Sequence, residues 1–201
     1  AQALLDQLKA KYSFSIEDQL IEAYLLLHQQ QEKEARLLFE NILEKHPENV
    51  DAIMGLAIQL FRKGFLEDSL SWLTRGLEIN PRLARANYLR SSILFRQGDF
   101  LQGDLAIGRA LELDPANLSY QLLFLRRQLM KGKLSVVEKQ LNLIQEKHPL
   151  NTEALQLQAD LYNSLGNSIE AEELLRQAIL VHDSPSIHFS LARVLYQQSK
   201  F

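Results

Sequence analysis

The side chains here that can move protons or hold a metal are five histidines, His28, His46, His148, His182 and His188, and a scatter of carboxylates. Acid–base work needs such groups converging within reach of one proton, and zinc needs three or four ligands at close spacing. His46 and His148 instead hold equivalent slots immediately before Pro47 and Pro149, where a helix is expected to end. A partly protonated imidazole there meets the negative end of the helix dipole, so a capping role is expected. His182 and His188 straddle a turn without a third ligand at metal spacing. Glu22, Glu32, Glu34 and Glu40 are expected to form solvated charged helix faces in preference to acid–base pairs. The chain has no cysteine, which removes disulfides, thiolate metal sites and thiol nucleophiles. Nor does it contain HExxH, GxSxG or a phosphate-cradling glycine loop. No catalytic, cofactor-binding or metal-binding residue is assigned.

Composition narrows the partners. The 201 residues are 46% hydrophobic and 23% charged, as in an ordinary folded protein. A formal net charge of −3 supplies no general field for DNA, RNA or an anionic membrane. Arg126-Arg127, Lys131 and Lys133 read as solvated helix ends. Trp72 and the six tyrosines lack the interleaved basic patch that base stacking needs, so no nucleic-acid partner is expected. No apolar run approaches the roughly 18 residues that span a bilayer, so direct membrane insertion is not expected. Either the cytoplasm or the periplasm suits a soluble chain without cysteine.

The elements behind these side chains are punctuated with great regularity. Pro47, Pro81, Pro115 and Pro149 are 34 residues apart, and Gly64, Gly98, Gly132 and Gly166 repeat the same step. A helix-length segment lies between each proline and the next glycine, and another before the next proline. Glycine ends one helix in the left-handed conformation, and proline closes the second. Turns such as His46-Pro47-Glu48-Asn49 and Asp114-Pro115-Ala116-Asn117 add an asparagine cap for the following helix. A period of this length marks a stack of helix hairpins, in which no hairpin buries its apolar faces alone.

Three further ladders run at the same spacing: Ala23, Ala57, Ser91, Leu125, Ala159; Ala35, Ser69, Gly103, Val137, Ala171; and Ile42, Gly76, Ala110, Ile144, Ala178. Small residues facing one another let two helices approach closely. Phe39, Leu73, Ile107, Leu141 and Leu175 form a bulky rung between successive hairpins. The fourth unit departs from the pattern, because Leu125, Val137 and Ile144 are all large, and its two helices are expected to stand further apart.

These ladders resemble the tetratricopeptide repeat family. Ala159, Tyr162, Gly166, Ala171 and Ala178 fall where that family places its small, aromatic and turn residues, as do Gly98, Ala110 and Pro115 in the preceding matching unit. Gln30 replaces the turn glycine of the first unit, and Asp183 replaces the closing proline of the fifth, with Pro185 two residues on. The resemblance implies an all-α, right-handed α-solenoid of antiparallel helix hairpins with about twelve helices. Its expected divisions are a half repeat at 1–15, repeats at 16–49, 50–83, 84–117, 118–151 and 152–184, and a half repeat at 185–201. Both ends then fall inside a repeat, as in a slice of a longer protein.

In that family the first helices line the concave face. The inward positions are then Leu20, Tyr24 and Leu27; Met54, Ile58, Phe61 and Arg62; Tyr88, Ser92, Phe95 and Arg96; and Leu122, Arg126, Leu129 and Met130. The fifth unit turns polar with Gln156, Asp160 and Asn163, and the last half unit offers Phe189, Arg193 and Tyr196. The slots of the family's lysine–asparagine carboxylate clamp hold Leu20, Tyr24, Arg85 and Leu89, so that clamp is missing. An apolar strip edged with arginine suits an apolar or amphipathic peptide or helix. The expected function is a protein-interaction scaffold, without enzymatic activity in this region, inside a larger and bacterial protein or assembly. Alternatives are the non-catalytic repeat region of a glycosyltransferase or sulfotransferase, or a periplasmic part of a polysaccharide-export or pilus apparatus. Self-association through exposed repeat ends is a further expectation.

Overall fold

Prolines and glycines alternate along this chain as stops for successive helices, and the architecture follows from that alternation. The protein's structure, a computed structural model, describes residues 15–198. Among the described residues are eleven α-helices and no strand. They are α1 (Ile16–His28), α2 (Glu32–Lys45), α3 (Val50–Arg62), α4 (Leu66–Ile79), α5 (Ala84–Gln97), α6 (Phe100–Leu113), α7 (Leu118–Met130), α8 (Leu134–Lys147), α9 (Thr152–Ser164), α10 (Ser168–Val181) and α11 (Pro185–Gln198). The additional helix expected over 1–15 lies outside the described residues apart from Ser15.

Local chemistry sets each boundary. Gly64, Gly98, Gly132 and Gly166 turn the hairpins with φ of 83°, 81°, 73° and 86°. In the first hairpin the same left-handed slot is held by Gln30 at φ 63°, where a Cβ makes the conformation costlier. Asn49, Asn117 and Asn151 cap α3, α7 and α9 by accepting from the amides of Ala52, Tyr120 and Ala154 at 2.9, 3.4 and 2.9 Å. His46 and His148 are the C-terminal cap residues of α2 and α8.

Within a hairpin the small rungs bring the backbones together. Ser69 and Ala57 are both fully buried, and the Ser69 hydroxyl of α4 donates to the Ala57 carbonyl of α3 at 2.7 Å. Gly103 of α6 is the seat of the Phe95 ring of α5, since a Cβ there would lie 2.3 Å from the ring. Between hairpins, Phe39 of α2 covers Gly55 of α3 in the same way. That contact accounts for a glycine in mid-helix, which otherwise costs about 1 kcal/mol relative to alanine. The bulky rung of Phe39, Leu73, Ile107, Leu141 and Leu175 is buried throughout.

The helices form two compact units, one ending at Leu113 with α1–α6 and one beginning at Asp114 with α7–α11. The first has a continuous core from Ala23 to Ile93. The second has one cluster around Leu125, Val137 and Leu141 and another around Leu155, Ala171 and Leu175. In this second unit α7 and α8 make far fewer close backbone approaches than α9 and α10 do. Leu125, Val137 and Ile144 fill the space between them and are all buried.

Candidate functional site

The face offered by the first helix of each hairpin has a different character in each unit. In the first unit it is largely consumed by internal packing. Met54 and Ile58 are buried in the core, and Leu20 packs against it. The Tyr24 ring meets Phe39 edge-on, with centroids 5.2 Å apart, and its hydroxyl donates to the Asp51 carbonyl at 2.8 Å. Burial pushes the Tyr24 phenol up to about 12; Arg85 beside the ring pulls against this, and Asp51 adds to it. Tyr24 therefore stays a neutral donor at physiological pH.

The other expected residues of this face are similarly engaged. Arg96 lays its guanidinium 4.5 Å over the Phe61 ring, and Arg62 donates to the Leu27 carbonyl at 3.1 Å. Ser92 donates to the Tyr88 carbonyl one turn earlier at 3.1 Å. Phe95 is the ring seated on Gly103. Within the first unit these side chains are spent mainly on internal contacts.

The second unit leaves more open. Leu122 is buried and Leu129 half-buried, but Met130 is 66% exposed at the end of α7. On α11, Phe189 and Tyr196 are 74% and 60% exposed. A recess of about 250 Å³ opens on the same helices, lined by Arg126, Leu129 and Met130 from α7, Asp160, Asn163 and Ser164 from α9, and Arg193 and Gln197 from α11. Arg193 is ion-paired with Asp160 across the helices. Gln156 donates to the Ser190 hydroxyl at 2.8 Å and ties α9 to α11 beside the recess. Arg126 is half-buried as a residue, and its guanidinium has no hydrogen-bond or ion-pair partner among the described residues. The Asn163 carbonyl oxygen, Oδ1, is buried and unpaired.

Sequence reasoning missed Ser164 and Gln197 as parts of this recess. The signal for Ser164 was available, because it stands 34 residues after Met130 in the same ladder. Elsewhere, His188 pairs through Nε2 with Asp183 Oδ1 at 2.6 Å on the surface. Among the described residues no group of three or more His, Cys, Asp or Glu side chains is placed to hold a metal. No described helix is long and apolar enough to cross a membrane.

Comparison with known proteins meets this geometry. Family models described as tetratricopeptide repeat match residues 26–93, and residues 84–117 and 152–181, together more than half of the chain. The Protein CTR9 homolog of Arabidopsis thaliana is 26% identical over 185 residues, covering 88% of this chain and 17% of that protein. The interferon-induced protein with tetratricopeptide repeats 3 of Mus musculus is 27% identical over 169 residues, covering 82% of this chain and 33% of that protein. The chain thus spans a third or less of these curated relatives, neither of which is bacterial. Among solved structures, a thermophilic TPR protein of Thermus thermophilus superposes with a TM-score of 0.71 at 20% identity. That match covers 90% of this chain and all of the other, and it shows the fold. Proteins of this repeat type are generally non-catalytic interaction scaffolds. With ten of its eleven described helices paired into five antiparallel hairpins, the chain belongs to the tetratricopeptide repeat family.

Proposed function

We propose that this region is a protein-binding scaffold that takes an apolar or amphipathic peptide or helix on the face of its first helices, as part of a larger protein or assembly. The observation that carries the reading is the contrast in exposure on that face. Met130, Phe189 and Tyr196 stay open to solvent in the second unit, beside a recess with an uncommitted arginine. Met, Tyr, Phe and Arg are residues that anchor interfaces. In the first unit the equivalent side chains support the reading less, because Tyr24, Phe61 and Phe95 are already engaged in internal contacts. Binding therefore centres on α7, α9 and α11.

Peptides selected by display on the 201-residue chain test this directly. Their affinity for Met130→Asp and Phe189→Asp variants is expected to fall tenfold or more, since each substitution places a charge where an apolar anchor would dock. Both positions are exposed, so thermal unfolding followed by circular dichroism should match the parent. Selected peptides that bind both variants as tightly as the parent would place the binding surface elsewhere.

A further inference from the structure

We propose that the recess on α7, α9 and α11 is a subsite for a single carboxylate side chain, an aspartate or glutamate of the bound peptide, and that Arg126 receives it. The proposal rests on the reading of this face as peptide-binding and names the chemistry of one position in the ligand.

Two arginines line the recess, and they are not equivalent. Arg193 is committed to Asp160. Arg126 is half-buried beside Leu129 and Met130, with no partner among the described residues. A guanidinium that has lost part of its water and gained no acceptor is poised for one, and its planar donors match a carboxylate in a two-pronged geometry. The Arg193 partnership also screens the Asp160 charge that would otherwise repel the incoming acid. A second polar group points to a ligand as well. Asn163 Oδ1 is buried without a donor, so this amide gains by turning to meet a peptide N–H. Exposed Met130 on the rim then offers an apolar surface to a neighbouring side chain of the peptide.

Size and charge select the carboxylate over its rivals. About 250 Å³ is smaller than a typical small-molecule site and suits one side chain. Phosphate recognition usually draws on a cluster of arginines; here one arginine is free and a carboxylate shares the wall. An oligonucleotide needs several cations along its phosphates, and this recess offers one free arginine beside a carboxylate.

The test is an array of decamer peptides with two fixed leucines and one variable position carrying Glu, Gln, phosphoserine or Lys, probed with the fluorescently labelled 201-residue chain. A labelled oligoadenylate serves as the nucleic-acid probe. Peptides with Glu should be captured about tenfold better than their Gln counterparts, the scale of one charge-assisted contact. Arg126→Gln should abolish that preference, so that Glu and Gln peptides are captured equally by the variant. Arg126→Lys, which keeps the charge and loses the fork, should retain part of it. Circular dichroism melts of both variants establish that they are folded. Gln peptides captured as well as Glu peptides would overturn the acidic subsite and leave the peptide-binding face standing. A Glu preference that survives Arg126→Gln, or stronger Arg126-dependent capture of phosphoserine or oligoadenylate, would also overturn it. Capture of no peptide at all would remove this subsite together with the reading it rests on.

Discussion

The third hairpin, α5 with α6, and the fourth, α7 with α8, are built to one plan and packed in two ways. Their turns are equivalent: Gly98 and Gly132 adopt φ of 81° and 73°. Their facing rungs differ. The third uses Ser91, Gly103 and Ala110, its helices approach closely, and the Phe95 ring drops onto Gly103. The fourth uses Leu125, Val137 and Ile144, and its helices touch at far fewer points. Val137 occupies the position of Gly103, and Leu129 stands where the third hairpin has Phe95. Volume removed from one ladder has been returned on another. Helix punctuation and helix spacing are thus separate instructions, the first written in Gly and Pro and the second in side-chain size.

The strongest way to break this comparison is to write the third hairpin's rungs into the fourth. Leu125→Ser, Val137→Gly and Ile144→Ala together should cost more than about 5 kcal/mol, because each empties a buried position and one adds a glycine to a helix interior. Urea denaturation followed by circular dichroism would then show loss of helix in the second unit well before the parent unfolds. Parental stability would mean that the two helices simply close up and that rung size does not set spacing. Leu125→Ala alone should cost about 3 kcal/mol by the same assay.

The reverse intrusion is milder. Gly103→Ala places a methyl 2.3 Å from the Phe95 ring, and overpacking of this kind costs about 1–3 kcal/mol. Better helix propensity returns about 1 kcal/mol of that, so a net loss near 1 kcal/mol is expected. Removing the ring should relieve the clash, so Phe95→Leu and Gly103→Ala combined should be less harmful than the sum of their separate effects. A double-mutant cycle without coupling would show that the ring is not what glycine makes room for.

How much of this was legible beforehand follows the same division. The hairpin plan was readable because glycine and proline act on their own backbone, within a residue or two. Asn49 and Asn117 as caps were readable for the same reason. Burial at the candidate surface was harder. Met54, Ile58 and Leu122 fall on the helix face that periodicity assigns to a partner, yet they are buried. Periodicity gives the direction of a side chain and cannot give the gap between neighbouring helices, which depends on residues about 34 positions away. The Arg193–Asp160 pair shows the same limit, since the two residues meet only once α9 and α11 are stacked.

The smallest expected effect is the control that separates turn from rung as the cause of the difference. Gly98 and Gly132 both have positive φ, and a Cβ added at either would meet nothing within 4 Å. Alanine there would be strained by its backbone alone, at about 1 kcal/mol in each case. Gln30 shows that the slot tolerates a side chain, because it holds the same position in the first hairpin. Gly98→Ala and Gly132→Ala should therefore lower stability by equal amounts in urea titrations, although the helices they join are packed so differently. An appreciably larger loss at Gly132 would trace the looseness of the fourth hairpin to its turn. Equal losses would leave Leu125, Val137 and Ile144 as the cause, with helix spacing on the Arg126 face set from inside the hairpin.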